Sequence, residues 1–129
     1  MKILSINYSI IKNGLIKKFS SVIIYNSILT LSFLDVLFRE GVIRSYVVLP
    51  SNKVEVFLKY YKGVSVINDI KSISTSSRSI YYGINDICHW KSFHSPLNSF
   101  LVLNTSKTIF SSNELKDYQV GGQVLCIIS

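Results

Sequence analysis

The strongest constraint on this chain is a change of hydrophobic period within its first sixty residues. Ile3, Ile6, Ile10, Ile11 and Leu15 recur at helical spacing, with Lys12, Lys17 and Lys18 off the stripe, so an amphipathic helix is expected to end near Phe19. Ser21-Val22-Ile23-Ile24-Tyr25 then reads as a short strand. Asn26-Ser27 offers capping chemistry for a helix from Ile28 to Glu40, stopped by Gly41. Val42 to Leu49 and Lys53 to Tyr60 read as strands around the turn Pro50-Ser51-Asn52.

The second half is strand-dominated. Val64 to Ile73, Ser79 to Tyr82, Leu97 to Leu103 and Gln123 to Ile128 are expected as strands, Asn113 to Tyr118 as a short helix, and residues 83–96 as irregular. Helices interleaved with strands, followed by strands, argue an α+β fold of two small lobes. The N-terminal lobe, residues 1–61, would run α-β-α-β-β. The C-terminal lobe, residues 62–129, would be mostly β with a short helix. At 129 residues with a 48% hydrophobic fraction, the chain can bury a core.

Charge narrows the partners. The formal net charge is +7, which points to an anionic partner such as nucleic acid. Residues 1–64 carry nine Lys/Arg against three Asp/Glu, whereas residues 65–129 carry five against four. An anionic partner on the second half must therefore be held largely by neutral hydrogen bonds. Alanine is absent although it is the best helix former, which points to AT-rich coding DNA and an organellar or endosymbiont genome. The stretch Val22 to Phe38 is greasy but interrupted by polar residues and shorter than the roughly 20 residues a spanning helix needs, so no membrane partner is expected. The N-terminal residues resemble neither a signal nor a transit peptide.

Catalytic signals are weak. Cys88, His89 and His94 form a fragment of a metal-binding spacing without a fourth ligand, so no metal is assigned. The seven acidic residues include no close pair in an apolar setting, and no G-x-S-x-G, P-loop or G-x-G-x-x-G occurs. No enzyme activity and no cofactor are expected. Cys88 and Cys126 are expected as free, buried thiols.

A binding edge is better supported. The apolar run Phe100 to Leu103 ends in Asn104-Thr105-Ser106-Lys107, an amide, two hydroxyls and an ammonium. Such short groups can match the base edges, 2′-hydroxyls and phosphates of irregular RNA. Gly121-Gly122 would let another backbone approach closely, and Gln123 adds an amide beside them. The competing reading makes Ser and Thr mere caps of the next helix.

These residues, in order and spacing, resemble the small-subunit ribosomal protein eight family of bacteria and organelles. Lys12-Asn13-Gly14 is similar to the Arg-Asn-Gly/Ala that ends the family's first helix. Phe38 to Ile43 is similar to its Lys-x-Glu-Gly-Phe-Ile, and Leu58-Lys59-Tyr60 followed by Gly63 to its Leu-Lys-Tyr segment. Ile80-Tyr81 resembles its Arg-x-Tyr strand. Thr105-Ser106-Lys107 sits in its Ser-Thr-Ser-Lys-Gly block, and Gly121 to Cys126 in its Gly-Gly-Glu-x-x-Cys block.

The resemblance implies a structural constituent of the small ribosomal subunit whose C-terminal lobe binds the central domain of small-subunit ribosomal RNA, supporting assembly and translation. It implies RNA contacts at Lys12, Asn13, Lys59, Tyr81, Asn104, Thr105, Ser106, Lys107, Gly121, Gly122 and Gln123, and neighbours such as ribosomal proteins five and twelve. The family's Ser is Asn104 here, its Gly is Thr108 and its Glu is Gln123. Its Pro-Ser-Ser-Lys reads Tyr25-Asn26-Ser27-Ile28, and its basic Pro-Gly turn reads Thr75-Ser76-Ser77, so two cation sites are lost. Composition makes the mitochondrion the first expectation for compartment and the plastid the second. A free RNA-binding translational regulator would use the same residues; co-sedimentation with small subunits, against a free pool on messenger RNA, separates the two.

Overall fold

The computed structural model describes residues 2–74, 77–94, 99–105, 108–114 and 120–129. It is an α+β protein that divides into two compact units, Met1–Asn68 and Asp69–Ser129.

In the first unit the order is α1 (Lys2–Ile16), β1 (Ser21–Tyr25), α2 (Ile28–Glu40), β2 (Ile43–Leu49) and β3 (Lys53–Leu58), then a two-stranded hairpin of β4 (Tyr60–Tyr61) and β5 (Val64–Ser65). Strands β1, β3 and β2 form an antiparallel sheet in that spatial order. Val22 and Ile24 of β1 join Val54, Val56 and Leu58 of β3 in the core with the helices. The intervening Ile23 and Tyr25 are exposed, as strand alternation requires.

Helix α2 has the boundaries its sequence predicts because both ends are capped. The Ser27 hydroxyl accepts from the Thr30 N–H at 3.1 Å, and Gly41 takes the left-handed conformation at φ 76° that glycine tolerates.

Helix α1 corrects the expected stripe. Its buried face is Leu4, Tyr8, Ile11 and Leu15, while Ile3 and Ile6 stand 44% and 43% exposed. The cause is Asn7, which is fully buried despite being polar. Its side-chain amide donates to the Tyr25 carbonyl (3.1 Å) and to Thr30 Oγ1 (3.0 Å), and its oxygen accepts from the Tyr25 N–H (3.1 Å). One residue thus ties α1 to β1 and α2, on a face that keeps Ile11 and Leu15 of the expected stripe buried and leaves Ile3 and Ile6 exposed. Tyr8 and Phe33 reinforce the α1–α2 contact edge to face, with centroids 5.2 Å apart.

The second unit contains β6 (Ile70–Ser72), β7 (Tyr81–Tyr82), α3 (Ile84–His94), β8 (Phe100–Asn104), β9 (Ile109–Ser111), a 3₁₀ turn (Ser112–Glu114) and β10 (Gly122–Ile128). Strand β10 is central. It pairs with β8 on one side and with both β6 and β7 on the other, while β9 extends the sheet beyond β8. Leu101, Leu103, Phe110 and Val124 form a core cluster with Ile87 of α3, against which Trp90 packs partly buried.

Residues 84–94, expected to be irregular, are helical. Ile87 is the helix's only residue in the buried core among the described side chains, so its apolar periodicity is too sparse to read. The helix expected at 113–118 appears as a 3₁₀ turn over 112–114, and residues 115–119 lie outside the described set. Cys126 is buried, but Cys88 is exposed on α3, contrary to the expectation for both.

Replacing Asn7 with Ala removes its buried bond to Thr30 Oγ1 and leaves the partly buried Tyr25 amide and carbonyl without their side-chain partner. Chemical denaturation should show a loss of about 2–3 kcal/mol, at the upper part of the range for stranded buried polar groups, with an unchanged denaturant slope.

Candidate nucleic-acid interface

Three strand ends meet at Gly121-Gly122. Strand β10 places Gln123 opposite Tyr81 on one side and opposite Asn104 on the other. Directly paired residues in an antiparallel sheet project from the same face, so Tyr81, Gln123 and Asn104 form one row. Tyr81 is 69% exposed and presents a ring to solvent. Gln123 and Asn104 are half-buried, and the Gln123 side-chain amide donates to Ser79 Oγ at 3.3 Å. The row is neutral: one aromatic ring and two carboxamides.

The glycines make this row possible. A Cβ on Gly122 would lie 2.5 Å from the Asn104 carbonyl oxygen and 2.7 Å from Thr105 Cγ2. A Cβ on Gly121 would collide with the Tyr82 carbonyl oxygen and sit 2.7 Å from Gly83 Cα. The close backbone expected at this pair is therefore the protein's own, on both sides. Glycine here draws β7 and β8 in against β10.

Beyond Asn104 the chain turns on Thr105. Its N–H donates to the Thr108 carbonyl at 3.1 Å, its hydroxyl donates to the same oxygen at 2.7 Å, and the hydroxyl accepts from the Thr108 N–H at 3.2 Å. Thr105 is thus bonded to Thr108 through both its backbone and its hydroxyl. Ser106 and Lys107 themselves lie outside the described residues.

A second support lies behind β10. The β8 ladder slips between Val124 and Cys126, and residues of the 73–80 connection bond the backbone of β10 between its pairings with β6 and β7. The Ser74 hydroxyl donates to the Val124 carbonyl and accepts from the Ile80 N–H, Val124 N–H donates to the Ile80 carbonyl at 2.8 Å, and Ile73 N–H donates to the Leu125 carbonyl at 3.1 Å. Ser74 has no signal in the sequence beyond membership of a serine-rich turn, and Ser79 only that of opening an expected strand, because a single hydroxyl has no periodicity.

The remaining expected residues belong to the first unit. Lys12 is half-buried near the end of α1, and Asn13 is exposed at the next position. The Lys59 ammonium donates to the Gly41 carbonyl at 2.9 Å, where it also complements the C-terminal dipole of α2, so a structural bond engages it. Among the described residues no three His, Cys, Asp or Glu side chains gather as a metal site. No helix among them is long and apolar enough to cross a membrane. The phenol of Tyr60, whose pKa burial pushes up, donates to the Phe19 carbonyl at 2.6 Å.

The chain is a two-unit α+β protein with a neutral hydroxyl- and amide-rich sheet edge, and comparison with known proteins gives its family. Residues 4–129 match the family model described as Ribosomal protein S8. Similar curated proteins include small ribosomal subunit protein uS8 of Wolinella succinogenes, 33% identical with 92% of this chain and 90% of that one covered. Another is uS8 of Maricaulis maris, 34% identical with 92% and 90% covered. Small ribosomal subunit protein uS8m of Acanthamoeba castellanii is 32% identical over the whole of both chains. The chain belongs to the uS8 family, a class of structural small-subunit ribosomal proteins rather than enzymes.

Gly122→Ala should force β8 away from β10. Thermal unfolding should report a loss of about 1–3 kcal/mol, the usual range for an inserted methyl group that the surroundings cannot absorb.

Proposed function

We propose that this chain binds the central domain of small-subunit ribosomal RNA in a mitochondrial ribosome, and that it supports assembly of the subunit. The observation that carries this reading is the Tyr81–Gln123–Asn104 row, with the Thr105 turn continuing it. An exposed ring stacks on an unpaired base, carboxamides hydrogen-bond base edges or 2′-hydroxyls, and neither requires a net positive surface. Ser106 and Lys107, which the family resemblance places between Thr105 and Thr108, supply a further hydroxyl and a phosphate-seeking ammonium. Gly121 and Gly122 act by holding the three strand ends together. Lys12 and Asn13 provide a separate RNA contact from the first unit, as Lys59 does if it exchanges its bond to Gly41. Ribosomal proteins five and twelve are the expected protein neighbours. The mitochondrial assignment rests on the uS8m relative, which matches end to end, and on the alanine-free composition.

Titration with the cognate ribosomal RNA across a salt series tests the surface. Tyr81→Ala should cost about 1–3 kcal/mol at every salt concentration, the range for losing one base–aromatic stack. Lys107→Ala should instead lower the magnitude of the log–log salt slope by about 0.7–0.9, the effect of one phosphate contact. Parental binding by both variants over the whole series would remove the assigned surface.

Thr105 separates turn-building from direct readout. Thr105→Ser retains the hydroxyl that bonds Thr108 and should bind within about threefold of the parent, whereas Thr105→Val, which cannot make those bonds, should lose on the order of 1–3 kcal/mol of binding. Fluorescence anisotropy on the same RNA distinguishes these outcomes.

A further inference from the structure

The β4–β5 hairpin of the first unit carries a small apolar platform open to solvent. Tyr61 pairs directly with Val64, so both side chains leave the same face, and they stand 69% and 63% exposed. Tyr61 and Tyr81 are the most exposed rings among the described residues. Lys62 and Gly63, which join the two strands, both have left-handed backbones, at φ 52° and 79°. Such a two-residue turn usually opens on Asn, Asp or Gly. Here a lysine opens it, in a conformation unfavourable to most residues with a side chain, and its ammonium comes to rest 5.4 Å from the centre of the Tyr61 ring. Tyr60, on the other face of the hairpin, fastens it down: its phenol donates to the Phe19 carbonyl at 2.6 Å.

We propose that this hairpin holds one unpaired nucleotide of RNA, its base stacked on Tyr61 beside Val64 and its phosphate on the Lys62 ammonium. The contact presupposes the RNA-binding reading above and lies on a surface of its own. A stacked base and a neighbouring phosphate are what a single strand offers together, and a ring with an ammonium beside it is the matching pair. Charge favours an anion. Tyr60 bonds the hairpin to the turn after α1, and Lys59 bonds its base to the Gly41 carbonyl at the end of α2. The three segments so joined, residues 12–20, 38–44 and 53–65, carry eight Lys/Arg against two Glu, so Glu40 and Glu55 leave a large positive excess. Size favours a base over a protein. One ring and one isopropyl group match the face of a nucleobase, whereas a stable protein contact buries about 800 Å² on each partner.

The test uses small subunits assembled with the full chain. Irradiation with short-wavelength ultraviolet light, followed by mass spectrometry, should place a nucleotide adduct on Tyr61. A synthetic RNA of the cross-linked sequence should bind the isolated chain. Tyr61→Leu should weaken that binding about tenfold at every salt concentration, and Tyr61→Phe, which keeps the ring, should stay within about twofold of the parent. Lys62→Asn should lower the magnitude of the log–log salt slope by about 0.7, the effect of one phosphate contact on a single strand. The same variant should melt no lower than the parent, because Asn suits a left-handed position. A purely structural role for either residue would move the melting temperature and leave affinity and slope at their parental values, and that result overturns the proposal. So does a cross-link from p-benzoyl-phenylalanine in place of Tyr61 to a neighbouring protein, with no nucleotide adduct on Tyr61. An adduct on Tyr81 without one on Tyr61 removes this contact and keeps the other surface. The converse result keeps this contact and removes the other surface, so the two readings fail separately.

Discussion

The second unit depends on how closely its backbones pack around β10. That strand serves three partners, and at Gly121-Gly122 there is no space for a methyl group on either side. Glycine usually weakens a strand through its conformational entropy. Here that cost is offset because two neighbouring strand ends converge on it and carry Tyr81 and Asn104 into one row with Gln123. A larger residue would separate the row before it altered any side chain in it. The glycines are thus geometric determinants of a surface to which they contribute almost no polar chemistry.

Several residues also have a supporting role. Thr105 was expected to face a ligand, yet its hydroxyl is committed to closing the turn with Thr108. Lys59 is expected to contact RNA, and its ammonium bonds the Gly41 carbonyl at the end of α2. Ser74 had no assigned role, yet it satisfies the backbone where β10 slips register. In each case a polar side chain bonds a backbone group and so helps to fix local shape.

The legible parts of the sequence were those with local causes. Ser27 and Gly41 fix α2 because a cap is specified within a few residues of the helix end. β1 and β3 alternate because each has one wet face. The α1 face was misread because hydrophobicity pointed to Ile3 and Ile6, while a buried amide, Asn7, sets the actual orientation through partners 18 and 23 residues away. Helix α3 and strand β9 were missed for related reasons. One has a single deeply buried anchor among its described side chains, the other has only three residues, and both are specified by tertiary packing. Within the candidate site, Gly121-Gly122 and Asn104-Thr105 were visible as motifs, but which backbones meet at the glycines depends on sheet order, which no local pattern states.

Charge distribution explains why the surface takes this form. The second unit contains nearly as many acidic as basic residues, so long-range attraction cannot hold a polynucleotide there. On the proposed function, binding there would come from directional contacts, which require fixed geometry: a ring at a set height, amides in a set row and a turn of set shape. That requirement accounts for the density of internal hydrogen bonds behind the edge, from Ser74 through Ile80 to Val124 and from Thr105 to Thr108. The first unit, with three times as many basic as acidic residues, is the part suited to long-range electrostatic steering. On that proposal the burden of recognition falls on shape rather than charge, which would make the glycine-packed strands correspondingly harder to substitute.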